Sequence, residues 1–380
     1  MKQLLALVLL AAFAIADAAA QSTSPLIPAP PSLAARAWVL LDWQSRQVIV
    51  AREADKRVEP ASLTKLMTAY LVFDALKQKR ITPDQLGKVS DRGYKAEGSR
   101  MFLDPRIPAT VEDLLRGMVV QSGNDATITL AEMVAGSEDT FVDLMNRTAS
   151  RMGLANTHFV NSTGLPDPQH YATARDLATL AANVIRDFPE YFPLYSMKEF
   201  RYNNITQYNR NRLLAVDPYV DGLKTGYTAT AGYCLIATAK RDPRRLVSVV
   251  LGTASDIARA QESQKLLNYG FQFYETVRLY GKGQAVSTLR VYKGSTDELK
   301  AGFPEDFHLS VPVGASPRLK ATLESMQPLI APVEAGQRVG TLKVTLDGKP
   351  FGEYPVLALE KVGIANIFGR GLDTLRLLFK

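Results

Sequence analysis

In "EPASLTKLMTAY", residues Glu59–Tyr70, a serine and a lysine stand three positions apart at the start of an apolar run that reads as a helix. Positions i and i+3 of a helix share a face, so the amine of Lys65 can reach the hydroxyl of Ser62. A serine hydroxyl is a poor nucleophile until a base removes its proton. A lysine can be that base only where burial or a nearby cation lowers its pKa. Alone the pair decides nothing, because serines are common near helix starts.

Two further stretches supply what such a pair would need. Ser122-Gly123-Asn124 lies between two helical segments, and Lys224-Thr225-Gly226 lies on a strand within "VDGLKTGYTATAGYCLIATA". Lys224 offers a cation that can depress Lys65 and draw in a substrate carboxylate, and Thr225 adds a hydroxyl for that carboxylate. Ser122 can relay a proton to a leaving amine, while Asn124 can orient Lys65 and bond substrate. Backbone N–H groups of Ser62 and Tyr227 suit an oxyanion. Each motif is weak by itself. In this order, on helix start, loop and strand, they form one strong signal.

These motifs need a frame, and the pattern around them supplies one. "AWVLLDWQSRQVIVARE" holds two β-rich runs and predicts an opening hairpin. Leu63–Leu76 reads as a helix. Thr110 with Asp113, and Thr173 with Asp176, form capping boxes, and Asp125–Val134 is followed by Gly136 as a helix stop. Strands follow at Tyr219–Thr228, Tyr233–Lys240 and Leu246–Gly252, then a helix over Asp256–Thr276. Strands at both ends with helices between predict a mixed α/β (α+β) domain over residues 34–276, its antiparallel sheet assembled from the two ends. From Val277 short β runs predict a small all-β domain to Val362, with Asp347-Gly348 as a hairpin turn.

The ends differ from the middle. Residues 1–20 carry Lys2, an apolar run from Leu4 to Ile15 and small residues before Gln21, the pattern of a secretory signal peptide cleaved after Ala20. A Pro-rich linker over residues 21–33 follows. In residues 363–380, Asn366, Arg370, Asp373, Arg376 and Lys380 share one helical face and apolar residues fill the rest. That predicts an amphipathic helix lying on a membrane surface. The 380-residue chain has 45 Lys and Arg against 38 Asp and Glu, a net charge of +7 that favours anionic surfaces. The basic residues do not cluster with aromatics, which argues against nucleic acid. The three histidines, His158, His170 and His308, lack ligand spacing, and Cys234 is the one cysteine, so neither a metal nor another cofactor is expected and no intramolecular disulfide can form.

The motif set resembles the low-molecular-mass penicillin-binding proteins that are serine-type D-alanyl-D-alanine carboxypeptidases. "EPASLTKLMTAY", "LLRGMVVQSGNDA", "VDGLKTGYTATAGYCLIATA" and "QKLLNYGF" are similar to family segments in the same order. The resemblance covers the whole mature chain, and implies a penicillin-binding/serine β-lactamase-like domain with a helical cluster beside its sheet. It also implies that Ser62, Lys65, Ser122, Asn124 and Lys224 carry catalysis. Lys224, Thr225, Gly226 and Tyr227, with Arg210 of "YNRNRLL" and Arg259 of "DIARAQES", would bind substrate. Tyr227 stands where some members have His. The implied substrate is a peptidoglycan stem peptide ending in D-Ala-D-Ala, with β-lactam antibiotics as competing acylating agents. The implied place is the periplasmic side of the bacterial inner membrane, with the terminal helix on its surface. A β-lactamase shares the motifs, but no Glu-x-x-Asn element is evident for a deacylating water. A DD-endopeptidase uses the same residues, and the second domain argues for the carboxypeptidase. An inactive penicillin-fold binding protein would fail to be acylated by labelled penicillin.

Overall fold

The computed structural model describes residues 27–366 and Asp373. The expected signal peptide, the first part of the Pro-rich linker and most of the expected terminal helix lie outside the described residues.

Strand β1 (Ala37–Asp42) is buried along its whole length and turns back into β2 (Val48–Arg52), the expected hairpin. A 3₁₀ turn (Ala61–Thr64) then leads into helix α1 (Lys65–Lys77). The middle of the chain is helical: α2 (Asn124–Ala135), α3 (Glu138–Arg151) and α4 (Ala174–Asp187). The chain returns to the sheet as β3 (Val220–Thr228), β4 (Gly232–Arg241) and β5 (Arg244–Thr253), and α5 (Asp256–Phe273) closes the unit. The five strands are antiparallel in the order β2-β1-β5-β4-β3. Ala37 faces Leu251 across β1 and β5, so the first and last strands of the unit meet at its centre.

Both faces of this sheet are covered, which is why its strands are apolar without strict alternation. On one face Val39, Leu41 and Val249 pack with Leu63, Leu66 and Phe73 of the α1 segment. On the other, Trp38, Leu40 and Val250 pack with Leu266 and Leu267 of α5. The described part of the Pro-rich stretch joins this second core: Leu33 is buried in it, and Tyr269 donates to Pro28 O at 2.9 Å.

Helix α5 ends earlier than expected. Tyr274–Tyr280 is a strand, not the last turn of a helix, because it pairs antiparallel with Phe307–Pro312 and its β-branched and aromatic residues serve that pairing. The second unit adds a six-stranded sheet, whose longest hairpin joins Arg338–Leu346 to Lys349–Ala358. Asp347 and Gly348 both have positive φ there, 53° and 76°, as a two-residue turn between twisted strands requires. Sequence reading passed over Glu298–Gly302 and Leu319–Ser325, strands of the same sheet that alternate with charged residues.

A buried ion pair of the first unit sits where the second unit packs on it. Arg244 Nε donates to Asp42 Oδ2 at 3.0 Å and to Thr276 Oγ1 at 2.8 Å, and its Nη1 reaches Gly270 O at 2.7 Å. Nη2 extends to Ser310 Oγ at 3.4 Å in the second unit. Among the described residues no helix is long and apolar enough to cross a membrane, and no group of three metal-ligating side chains occurs.

Candidate active site

Ser62 sits in the 3₁₀ turn that precedes α1, reached through Ala61, whose φ of 50° is left-handed. Gly226 of β3 lies directly against this approach. A Cβ there would come within 3.1 Å of Pro60 O and 3.2 Å of the Ala61 side chain, so any larger residue would push this approach back by a few tenths of an ångström. On the other side Gly164, at φ 85°, leaves no room for a Cβ beside Ala61 O. The Ser62 segment is thus held between two glycines.

Lys65 is buried and its amine meets three oxygens: Ser62 Oγ at 3.1 Å, Asn124 Oδ1 at 2.7 Å and Thr163 O at 2.7 Å. Asn124 is fixed by its own donation from Nδ2 to Glu97 O at 2.6 Å, which turns its carbonyl towards Lys65. Burial, then the charge of Arg210, lowers the Lys65 pKa to about 7. A neutral amine has two N–H groups and one lone pair. The two carbonyls can accept both N–H groups, which leaves the lone pair for the Ser62 hydroxyl.

Ser122 follows a π-helical turn (Gly117–Gln121) and has φ 66° and ψ 33°. Its hydroxyl accepts from Lys224 Nζ at 2.9 Å, and the same amine donates to Thr225 O at 3.1 Å. Lys224 is buried, and its pKa is pushed well down by desolvation first, then by Lys65, Arg210 and Arg259. Burial is therefore the leading cause for both lysines; Arg210 acts on both, and the two amines disfavour each other's charged form, the coupling expected of Lys224.

The other expected residues line the same cleft of about 820 Å³. Arg210 donates to Ser99 Oγ at 2.9 Å, and Arg259 reaches Gly226 O at 3.1 Å and Arg210 O at 3.4 Å. Tyr227 is half exposed at the mouth and rests on Tyr233, ring centroids 4.3 Å apart, with the Arg259 guanidinium 5.6 Å from the Tyr233 ring. Ser62, Lys65, Ser122, Asn124, Arg210, Lys224, Thr225, Gly226, Tyr227 and Arg259 all come together.

Sequence reasoning missed the loop that supplies Thr163 O. Asn161 Oδ1 gathers the N–H groups of Thr163, Gly164 and Leu165, at 3.2, 2.7 and 3.1 Å. Buried Glu138 accepts from Ser162 N at 2.9 Å and Ser162 Oγ at 2.6 Å, and pairs with Arg92 at 2.7 Å. It also missed Asp125, which takes Met101 N and Leu103 N at 2.9 and 3.1 Å and so fixes the wall beside Ser122. The Asn161-x-x-Gly164 turn was the available signal for the loop. His170 keeps a structural role: buried, it bonds Thr64 Oγ1 at 2.8 Å and accepts from Val160 N at 3.3 Å.

A serine hydroxyl facing a lysine near its titration midpoint, with a second lysine–serine pair in one cleft, defines a serine acyl-transfer site. The chain belongs to the D-alanyl-D-alanine carboxypeptidase family, whose model matches residues 24–255, while the model of the penicillin-binding protein 5 C-terminal domain matches residues 274–363. It is a serine peptidase hydrolase. The D-alanyl-D-alanine carboxypeptidase DacC of Escherichia coli (strain K12) is 42% identical over 357 residues, covering 92% of this chain and 89% of the relative. Penicillin-binding protein 5 from Haemophilus influenzae superposes with a TM-score of 0.84 at 40% identity, covering 88% of this chain and 99% of that one. Penicillin-binding protein D2 from Listeria monocytogenes in its ampicillin-bound form superposes with a TM-score of 0.60 at 30% identity, over 64% of this chain and all of that one.

Proposed function

We propose that this enzyme removes the terminal D-alanine from peptidoglycan stem peptides ending in D-Ala-D-Ala, with Ser62 as nucleophile. The observation that carries the assignment is the set of three contacts around Lys65 Nζ, which aims a neutral amine's lone pair at Ser62 Oγ. Ser62 Oγ attacks the carbonyl between the two D-alanines as its proton passes to Lys65 Nζ. The N–H groups of Ser62 and Tyr227 hold the oxyanion. The proton taken up by Lys65 is relayed through Ser122 Oγ, which is bonded to Lys224, to the leaving D-alanine amine, so that both groups return to their starting state, while Lys224, Thr225 and Arg259 meet the carboxylate. Water then attacks the acyl-enzyme and regenerates the serine. A β-lactam acylates the same hydroxyl by opening its ring, in keeping with the ampicillin-bound relative. The residue pattern of the first twenty residues supports export to the periplasm, and the spacing of basic and apolar residues in the sequence of 363–380 supports peripheral attachment to the inner membrane.

The test is D-alanine release from a D-Ala-D-Ala pentapeptide by the purified protein beside its Ser62→Ala form. Release and penicillin labelling should both vanish in the variant. Labelling without release from the wild-type protein would move the assignment to a DD-endopeptidase. Activity surviving in Ser62→Ala would refute Ser62 as nucleophile.

A further inference from the structure

We propose that Glu59 is a positioning residue that sets the width of the oxyanion site, a role that rests on the assignment of Ser62 and Tyr227 N–H groups to that site. The two donors belong to segments far apart in the chain: Ser62 to the turn before α1, Tyr227 to the end of β3. Their separation has to be held by contacts between those segments. Gly226 supplies one contact by packing on Pro60 and Ala61. Glu59 supplies the other. Its Oε2 accepts from Thr228 Oγ1 at 3.2 Å and from Thr230 Oγ1, so one carboxylate oxygen bridges to the residue after Tyr227 and to the turn beyond it.

That turn is itself fixed. Thr228 Oγ1 also accepts from Ala231 N at 2.9 Å, and Thr230 O accepts from Arg36 Nη2 at 2.9 Å. Among the described residues no lysine or arginine pairs with Glu59, so the carboxylate is given over to the two hydroxyls rather than to a surface ion pair. Behind the clamp, Ala61 holds a left-handed φ of 50°, a conformation that alanine keeps only where its surroundings impose it. With the clamp cut, only the packing of Gly226 and Gly164 holds Pro60 and Ala61 against β3, and the segment relaxes outward. The oxyanion gap would then widen while Lys65, held from α2 and the Thr163 loop, stays where it is.

The experiment measures acylation of the purified protein by a fluorescent penicillin, separating the pre-covalent dissociation constant from the acylation rate constant. Glu59→Ala should slow acylation about 10- to 100-fold, in line with the cost of misplacing a group in an acyl-transfer site. The dissociation constant should stay within about threefold, since the ground state does not fill the oxyanion position. Glu59→Gln keeps a carbonyl for both hydroxyls and should recover most of the rate. Thr230→Val, at an exposed position, should lose part of the rate, and its effect should vanish in the Glu59→Ala background. A boronic acid analogue of the acylating peptide, which is tetrahedral on Ser62, should bind the Glu59→Ala protein more weakly by the same factor as the rate. Wild-type acylation by Glu59→Ala would overturn the clamp, as would Glu59→Gln failing as badly as Glu59→Ala, or additive effects of Glu59→Ala and Thr230→Val. Absence of label on Ser62 in the wild-type protein would instead overturn the nucleophile assignment, and the clamp with it.

Discussion

Replacing Asn124 by Asp tests the reading of Lys65 as a neutral base with one changed atom. The Asn124 carbonyl lies 2.7 Å from Lys65 Nζ, so the variant puts a carboxylate oxygen against the amine. At an effective dielectric of about 20, unit charges at that separation attract by roughly 6 kcal/mol, which is a ceiling. Measured shifts for such contacts run to about 1–3 units, so a rise of roughly 2 units is expected. The Lys65 midpoint, about 7 in the native site, would then lie near pH 9. At pH 7 the neutral fraction falls from roughly one half to roughly one in a hundred, slowing acylation about 50-fold. The substitution also removes the donation from Nδ2 to Glu97 O, now 2.6 Å, which lowers stability by about 1–3 kcal/mol. The pH profile separates these effects. Stopped-flow acylation by a chromogenic cephalosporin between pH 5 and 10 should show the acid limb displaced upward and the variant recovering about tenfold per unit from pH 7 to 9. A loss equal at pH 7 and pH 9, or a limb that does not move, would refute Lys65 as the base.

Two other outcomes follow from the burial of charged groups. Arg244→Met should cost about 3–5 kcal/mol in urea unfolding, because Asp42, with no exposed surface, loses its charge partner; a loss under 1 kcal/mol would show that the pair does not stabilise the fold. His170 is held neutral by burial, with a pKa of about 4 against about 6.5 in the unfolded chain. The unfolded state therefore binds the extra proton between these values, and stability falls as pH drops from about 6.5 towards 4, by up to about 3 kcal/mol. In His170→Gln that part of the pH slope should disappear, and an unchanged slope would assign acid sensitivity elsewhere.

How much of this was legible depends on what each position contributes. The roles proposed for Ser62, Lys65, Ser122, Asn124 and Lys224 need side-chain chemistry that few residue types supply, so type and spacing expose them. Thr163 contributes only its carbonyl, which every residue carries, and sequence is silent about it. Glu138 and Asp125 act by gathering N–H groups of loops brought to them by folding, so nothing local distinguishes them from surface acids. The Asp347-Gly348 turn was legible because its positive φ angles restrict composition. The end of α5 was not, because Tyr274 turns to strand only through its pairing with Pro312.

Helix starts show the same division, and they answer what Ser62 does at the head of α1. Thr110, Ser137, Thr173 and Ser255 each accept from the N–H three residues on, at 3.0–3.1 Å, as helix-capping side chains do. The 3₁₀ turn of Ser62 has no side-chain cap, and neither has α1 behind it. A cap would satisfy first-turn N–H groups, which are the donors an oxyanion at Ser62 requires. The segment forgoes about 1 kcal/mol of capping stability, and Ala61 and Ser122 add left-handed φ values of 50° and 66° on either side of the cleft. Neither alanine nor serine announces such a conformation in sequence. Both are held by what packs on them: Gly226 and Gly164 against Ala61, and Lys224 against Ser122. On the proposed mechanism the helix starts this way because the Ser62 N–H is kept for substrate, while Leu63 N–H bonds Pro60 O at 3.1 Å, and stability elsewhere in the core offsets the cost.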